Sequence, residues 1–421
     1  MLDCYLPWRY HISECLQNDL FPFWNPYQHT GFPSHADMRS VFYPFVWLHG
    51  LSWGYSYYLF HFIFIAYLTG AGYGMFLLTK EINKDYRTAL LVGIVYPISG
   101  FFVAHGQELS TIAGACWIPY ILLIFLKLLR KPDLHKSILL AIFFSLMVNS
   151  GYQAQTIILV YILVLGFFGF VIYSIVEHKI KAILPVLANL TLSAVLSVLL
   201  LLPNIVSFLQ VQEFVQRFSG LQADSIFEFA FTPQSLLSLI LPFGVVKDIE
   251  YFNSDISMIN IYIGLFIFIF YLTSIRYIKR KIHYFFLIIG LISLLAAFGG
   301  YTPFRKFLFD FIPLMDMFRG SSYFRIFFII SVLILSGYGI QLFLNNAKNV
   351  RKIFLILSIS TVAILIFFGI KAIFSENIGS SIISFKSSIY QWFSDTSFSE
   401  NVFIQVIIQL LFIFLFLFFV I

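Results

Sequence analysis

Charge is the first thing this chain is short of. Only 11% of its 421 residues are Asp, Glu, Lys or Arg, against about 25% in an ordinary soluble domain. A water-soluble protein of this length needs far more polar surface, so a large soluble core protein is excluded. Cysteine is scarce too. Cys4, Cys15 and Cys116 show none of the paired spacings of a metal site. Cys4 and Cys15 could pair only in an oxidising, extracytoplasmic loop, and their separation alone does not establish a bridge. No glycine-rich phosphate loop, nucleotide-fold fingerprint or zinc motif is present, which disfavours an ATPase. An energy source would have to be an activated lipid, a gradient or a partner. The first residues, MLDCYLPWRYH, lack the basic-then-apolar order of a cleavable leader.

What the chain has instead is apolar length. It is 60% hydrophobic, holds 53 Phe and has a mean hydropathy of +0.90. Runs near the ~18–20 residues that cross a bilayer as a helix recur throughout. They predict an all-α, polytopic integral membrane protein with about 11 spans, at 57–79, 87–104, 110–129, 137–152, 156–176, 182–208, 258–275, 283–299, 323–345, 352–371 and 401–421. The run at 137–152 is the weakest, being short and followed by NSGYQAQ. Phe42–Leu51 is too short to span and reads as interfacial or re-entrant. In the stretch FTPQSLLSLILPFG, a surface helix is expected to start after Thr232-Pro233 and stop at Pro242.

Basic residues set the expected orientation. The short loops at 80–87, 127–136, 177–181, 276–281 and 345–352 carry 16 Lys+Arg against 4 Asp+Glu, whereas the rest of the chain carries 10 against 16. The positive-inside pattern therefore assigns those five loops to the cytoplasm. The first loop, 1–56, and the loop 209–257 then face the extracytoplasmic side of the cell membrane, flanking a six-span bundle at 57–208 and a five-span bundle at 258–421. An outward opening segment implies either an earlier span or direct translocation of a short N-terminus, and the end LLFIFLFLFFVI has no basic anchor. The chain accordingly reads as one integral membrane domain from a longer protein.

The polar, aromatic segment Asp3–Pro44 is where chemistry can first sit beside the membrane. It holds Asp3, Arg9, His35 and Asp37, cut into short pieces by five prolines. A carboxylate such as Asp3 can deprotonate a sugar hydroxyl or hold a metal that does so, and an arginine such as Arg9 can contact an anion. The alternative for both is a solvated loop charge. His105 and Glu108, in AHGQELS, are three residues apart and would share a helix face. That spacing suits a metal or proton relay, and equally an interfacial cap. Gln153 and Gln155 could bind a sugar or satisfy a helix end. Arg319 and Arg325, in FRGSSYFR, either snorkel or hold a phosphate at the headgroup plane. The tryptophans and tyrosines read as interfacial belt anchors.

Several stretches together carry a resemblance. Asp3 followed by LPW, then LFPFWNPYQHTGFPSHADMRSVFYP, is similar to the first outer loop of the YfhO-like bacterial membrane proteins, which are related to the GT-C fold glycosyltransferases. GYGMFLL, YPISGFFVAHGQELSTIAGACWIPYILL, SGYQAQ, SLLSLILPFG and PLMDMFRGSSYFR extend the likeness over roughly residues 3–345. The chain departs from the family pattern in lacking a first helix and in carrying Arg39 where an uncharged Gln is usual.

This resemblance implies a GT-C-like enzyme moving a sugar from a polyprenyl-phosphate donor to an extracytoplasmic envelope polysaccharide or glycolipid. Asp3 matches the catalytic acid residue, and Arg319 and Arg325 match basic positions suited to the donor phosphate. Arg9, His35, Asp37, His105, Glu108 and Gln155 are the further candidates for substrate contact. Inversion at the sugar is implied, with Asp3 acting directly or through a divalent ion, Mg2+ or Mn2+. An apolar groove between spans, opening under the outer aromatic belt, would admit the donor from the membrane lipids. No nucleic acid partner is expected. A transporter of lipid or polysaccharide is the first alternative, though it calls for ionisable groups in mid-span, where these spans are mostly bare. A non-catalytic envelope assembly protein is the second.

Overall fold

The computed structural model describes residues 5–28, 30–36, 41–214, 228–244, 249–345, 349–375 and 396–420. Within these the chain is helical, apart from one isolated antiparallel bridge between Asn25 and Phe32. The polar opening forms α1 (Tyr5–Gln17) and, after a 3-10 turn at Ser34–Ala36, the short α2 (Pro44–Ser52). Then come α3 (Tyr57–Asn83), α4 (Tyr86–Val95), α5 (Gly100–Ala104), α6 (Leu109–Arg130), α7 (Leu134–Asn149), α8 (Gln153–Val176) and α9 (Ile183–Val211). After the short α10 (Ile249–Phe252) follow α11 (Leu265–Ile275), α12 (Lys281–Ala297), α13 (Pro303–Phe311), α14 (Arg325–Leu344), α15 (Val350–Ser375) and α16 (Phe398–Val420).

Among the described residues, eight helical stretches are long and apolar enough to cross a membrane: Tyr57–Asn83, Tyr86–Ala104, Leu109–Arg130, Gln153–Val176, Ile180–Val211, Ser321–Leu344, Val350–Phe374 and Phe398–Phe418. This is a multi-pass membrane protein. Three shorter apolar helices, α7, α11 and α12, occupy the remaining predicted positions.

Local chemistry explains where the elements begin and break. The Ser56 hydroxyl caps α3 by accepting from Leu59 N at 3.2 Å, and Lys84, at φ 59°, closes it in the left-handed region. Asp85 and Asp133 cap α4 and α7 in the same way. The stretch expected as one helix over 87–104 is interrupted at Tyr96–Ile98, where Pro97 removes a backbone donor. The span expected at 258–275 becomes helical only at Leu265, because Gly264 adopts φ 94° ahead of it. Residues 260–264 are non-helical, and the Tyr262 carbonyl accepts from Gly100 N at 2.6 Å. The surface helix after Thr232-Pro233 is a 3-10 helix, Pro233–Leu239, and its Ser235, Ser238 and Leu239 are buried.

The chain folds into two compact units that do not follow chain order. One comprises Met1–Lys84, His105–Ser225 and Leu308–Arg319; the other comprises Asp85–Ala104, Ile226–Phe307 and Gly320–Ile421. Each is built around one buried helix, α6 in the first and α14 in the second.

Small residues let the neighbours of these two helices approach, as is usual where lipid replaces water. Across α3 and α6, the Tyr120 hydroxyl donates to the Gly70 carbonyl at 2.8 Å, and a Cβ on Gly74 would lie 2.6 Å from the Tyr120 ring. Across α11 and α14, a Cβ on Gly339 would lie 2.2 Å from the Phe270 carbonyl oxygen, and Ser336 Oγ donates to the Ile267 carbonyl at 2.8 Å.

Candidate functional site

The polar ends of the first unit gather at the side remote from its basic loops. There α3, α6 and α8 begin and α7 and α9 finish. The opening segment docks at this end. The Tyr5 and Ser110 hydroxyls hydrogen-bond at 2.8 Å, which fixes the start of α1 against the head of α6. Ser13 Oγ and Gln17 Nε2 both donate to the Gly50 carbonyl, at 3.0 and 2.9 Å, so one face of α1 is bound to α2. A Cβ on Gly50 would meet Leu16 at 3.4 Å and the Ser13 backbone at 3.5 Å, ordinary packing distances, so α1 and α2 lie in contact here without requiring glycine. Tyr43, Tyr67 and Trp117 extend the same wall. Tyr67 donates to the Tyr43 hydroxyl at 2.8 Å, as does Trp117 Nε1 at 3.2 Å.

Arg9 lies under α1 and is 1% exposed. Its guanidinium carbon is 5.9 Å from the centre of the Tyr55 ring. Neither Nε nor Nη1 has a hydrogen-bond partner. The Tyr55 phenol is directed toward the guanidinium without reaching hydrogen-bond geometry, and the His49 ring stands edge-on to Tyr55 at 6.4 Å. Burial, together with the nearby Arg9 charge, lowers the His49 pKa below 6.5, so the imidazole is neutral at pH 7. Burial raises the Tyr55 phenol above its usual value even though Arg9 acts the other way. An arginine stays charged under all these conditions.

At the head of α6, the Glu108 carboxylate accepts from the Thr111 hydroxyl at 2.9 Å, and Gln155 Nε2 donates to the Thr111 carbonyl at 3.3 Å. Gln155 is buried, and its Oε1 has no hydrogen-bond partner. It comes so close to α6 that a Cβ on Gly114 would be 2.6 Å from that oxygen. Asn149 and Asn204 join α7 to α9 by a side-chain hydrogen bond at this level.

The sequence candidates fare differently. Asp3 and Asp37 lie outside the described residues. His35 sits in the 3-10 turn Ser34–Ala36, where its Nδ1 donates to the Phe23 carbonyl at 2.9 Å. His105 and Glu108 do not share a helix face, because His105 falls in the turn ahead of α6. Glu108 N donates to the His105 carbonyl at 2.8 Å. Gln153 Nε2 donates to the Val148 carbonyl at 3.1 Å and so serves the end of α7. Cys15 is a free thiol 3.7 Å from His11 Nε2, and Cys4 lies outside the described residues.

Arg319 and Arg325, expected to act as a pair, fall in different units. Arg319 is exposed in the first. Its segment is tied to α8 by Tyr161, whose hydroxyl donates to the Pro313 carbonyl at 2.8 Å. Arg325 is fully buried in the second unit, so it does not snorkel. It donates to Ser322 Oγ at 3.0 Å and to the Ser257 carbonyl, and stacks 5.2 Å from the Phe101 ring. It therefore joins three segments of that unit. Arg305 is also fully buried and donates to Ser321 Oγ at 3.3 Å.

Arg305, His49, Tyr55, Tyr43 and Tyr67 are not among the candidate site residues of the sequence. The usable signal was the fourfold spacing of Arg9, Ser13 and Gln17, which puts them on one helix face. Trp24 and Trp53 are exposed as belt anchors would be, but Tyr43, Tyr55 and Tyr67 are buried.

The first unit also contains an apolar groove of about 520 Å³ between α6, α7, α8 and α9, lined by residues such as Phe125, Phe144, Phe167 and Leu187. It extends from mid-helix toward the basic ends. Among the described residues, no three His, Cys, Asp or Glu side chains form a metal-ligand set. No family model, no curated protein and no solved structure matches the chain.

Proposed function

We propose that this protein is a GT-C-like membrane glycosyltransferase with about eleven crossings. It transfers a sugar from a polyprenyl-phosphate donor to an envelope acceptor at the extracytoplasmic face. One observation carries the reading: the opening segment, the His105–Gln155 stretch and the Leu308–Arg319 segment, which are far apart in sequence, belong to one compact unit. These are the stretches in which the polar candidates are concentrated.

Asp3 accepts the proton of the acceptor hydroxyl, and the resulting oxygen attacks the anomeric carbon from the face opposite the phosphate. The bond from that carbon to the phosphate oxygen breaks, and its electron pair leaves with the lipid phosphate, inverting the sugar. Tyr5, two residues beyond Asp3, is held at the head of α6 by Ser110. That contact is the described anchor of the segment in which the catalytic carboxylate is proposed. Gln155 Oε1 and the Glu108 carboxylate are acceptors for sugar hydroxyls. Arg319 is the exposed cation for the donor phosphate, while Arg325 keeps the start of α14 in place. A divalent ion of the Mg2+ or Mn2+ type would be held by carboxylates such as Asp3 and would polarise the acceptor hydroxyl.

The test is transfer from polyprenyl-phosphate sugars by the purified protein in vesicles. Asp3→Asn is expected to reduce turnover by about 10²–10⁴-fold, and Arg319→Gln to weaken donor use at unchanged folding. Full transfer by Asp3→Asn removes the catalytic assignment. Absence of transfer from every such donor favours an assembly or transport role.

A further inference from the structure

We propose that Arg9, His49 and Tyr55 form a site for a phosphate-class anion, either free phosphate or the phosphodiester of a lipid headgroup. Three observations support it. A guanidinium is buried with no carboxylate paired to it among the described residues, and its Nε and Nη1 are unpartnered. His49 Nδ1 and the Tyr55 hydroxyl are buried and unpartnered beside it. The three side chains come from α1, α2 and the turn after α2, and they adjoin through Tyr55, 5.9 Å from Arg9 and 6.4 Å from His49.

An unpaired buried charge is strongly disfavoured unless a partner arrives. Stacking on one phenol leaves the Nε and Nη1 N–H groups unsatisfied. A tetrahedral oxyanion can accept from several donors spread around it, whereas a planar carboxylate would engage the guanidinium and leave the other two side chains unserved. The inference does not depend on the transferase reading, because a protein that transfers no sugar can still bind an anion here.

The test uses the full chain in dodecyl maltoside, in phosphate-free buffer, followed by thermal unfolding. One arm titrates inorganic phosphate. The other adds phosphatidylglycerol, with diacylglycerol as the phosphate-free control. Wild type is expected to unfold at a higher temperature, saturably, with phosphate or with phosphatidylglycerol. A response to inorganic phosphate identifies the free anion as sufficient; a response to the phospholipid alone identifies a headgroup site. Arg9→Gln should raise the half-saturating concentration at least about tenfold, and His49→Gln several-fold. Arg9→Met should unfold above wild type without anion and fail to respond to it. If the Arg9 variants do not fold, His49→Gln decides. An unchanged midpoint in His49→Gln, no response of wild type in either arm, or a full response by Arg9→Met overturns the proposal.

Discussion

Replacing Gly339 by alanine tests how closely the second unit is packed. The new methyl carbon would lie 2.2 Å from the Phe270 carbonyl oxygen and 3.0 Å from its carbon. Both are backbone atoms of α11, so no side chain can turn away to make room. Restoring ordinary contact requires α11 and α14 to separate by about 1 Å, and a close-packed interior does not absorb such a shift locally. Overpacking of this kind costs about 1–3 kcal/mol. Separation also threatens the Ser336 bond to the Ile267 carbonyl, at about 1 kcal/mol more. Alanine recovers about 0.5–1 kcal/mol of helix propensity, which leaves a net loss of about 1–3 kcal/mol. Gly169→Ala is the matched control, because nothing lies within 4 Å of its added carbon; it should be neutral or slightly stabilising. Denaturant unfolding in detergent reads both. Equal stability of Gly339→Ala and wild type would refute the close approach of α11 and α14.

Other outcomes follow from the first unit. His49 should titrate below 6.5 by NMR, and Arg9→Gln should move it back up, since part of its depression comes from that charge. Because the folded form resists protonation, the unfolded chain binds more protons between the folded value and 6.5. The His49 contribution to stability is therefore lost as pH falls through that interval. An unmoved His49 in Arg9→Gln would contradict the placement of the two groups. Gly114→Ala forces Gln155 Oε1 from a 2.6 Å contact, and a flexible side-chain end can yield at a cost below about 1 kcal/mol. Transfer should then fall as it does in Gln155→Ala, with stability nearly unchanged; full transfer would take Gln155 out of the site.

The spans were legible because a bilayer-crossing helix is written in consecutive residues: α6, α8, α9, α14, α15 and α16 lie close to where their apolar runs put them. Breaks were harder to read. Pro97 interrupts a run whose hydropathy is continuous, and the non-helical stretch ahead of Gly264 is apolar enough to read as part of a helix. The grouping of helices was not legible, because nothing in the residues of α4 and α5 states that α4 packs on α14 and α5 on the turn Ile256–Met258 rather than with their sequence neighbours. Arg9 could be picked out as an anion contact from its setting among polar residues. Its burial depends on Ser13, Gln17 and Gly50 bringing α2 against α1, a tertiary fact. Arg319 and Arg325 looked alike in sequence for the same reason, yet one is exposed and the other joins three segments.

The account requires the opening segment to face away from the cytoplasm, where lipid-linked sugars are presented. Single cysteines at the exposed Tyr27 and at Lys131, in a background with Cys4, Cys15 and Cys116 replaced, can be probed in intact cells with a membrane-impermeant maleimide. Labelling of the Tyr27 position before permeabilisation, and of the Lys131 position only after it, is the predicted result. Labelling in the reverse order would place Asp3 and Arg9 in the cytosol and contradict the proposed reaction.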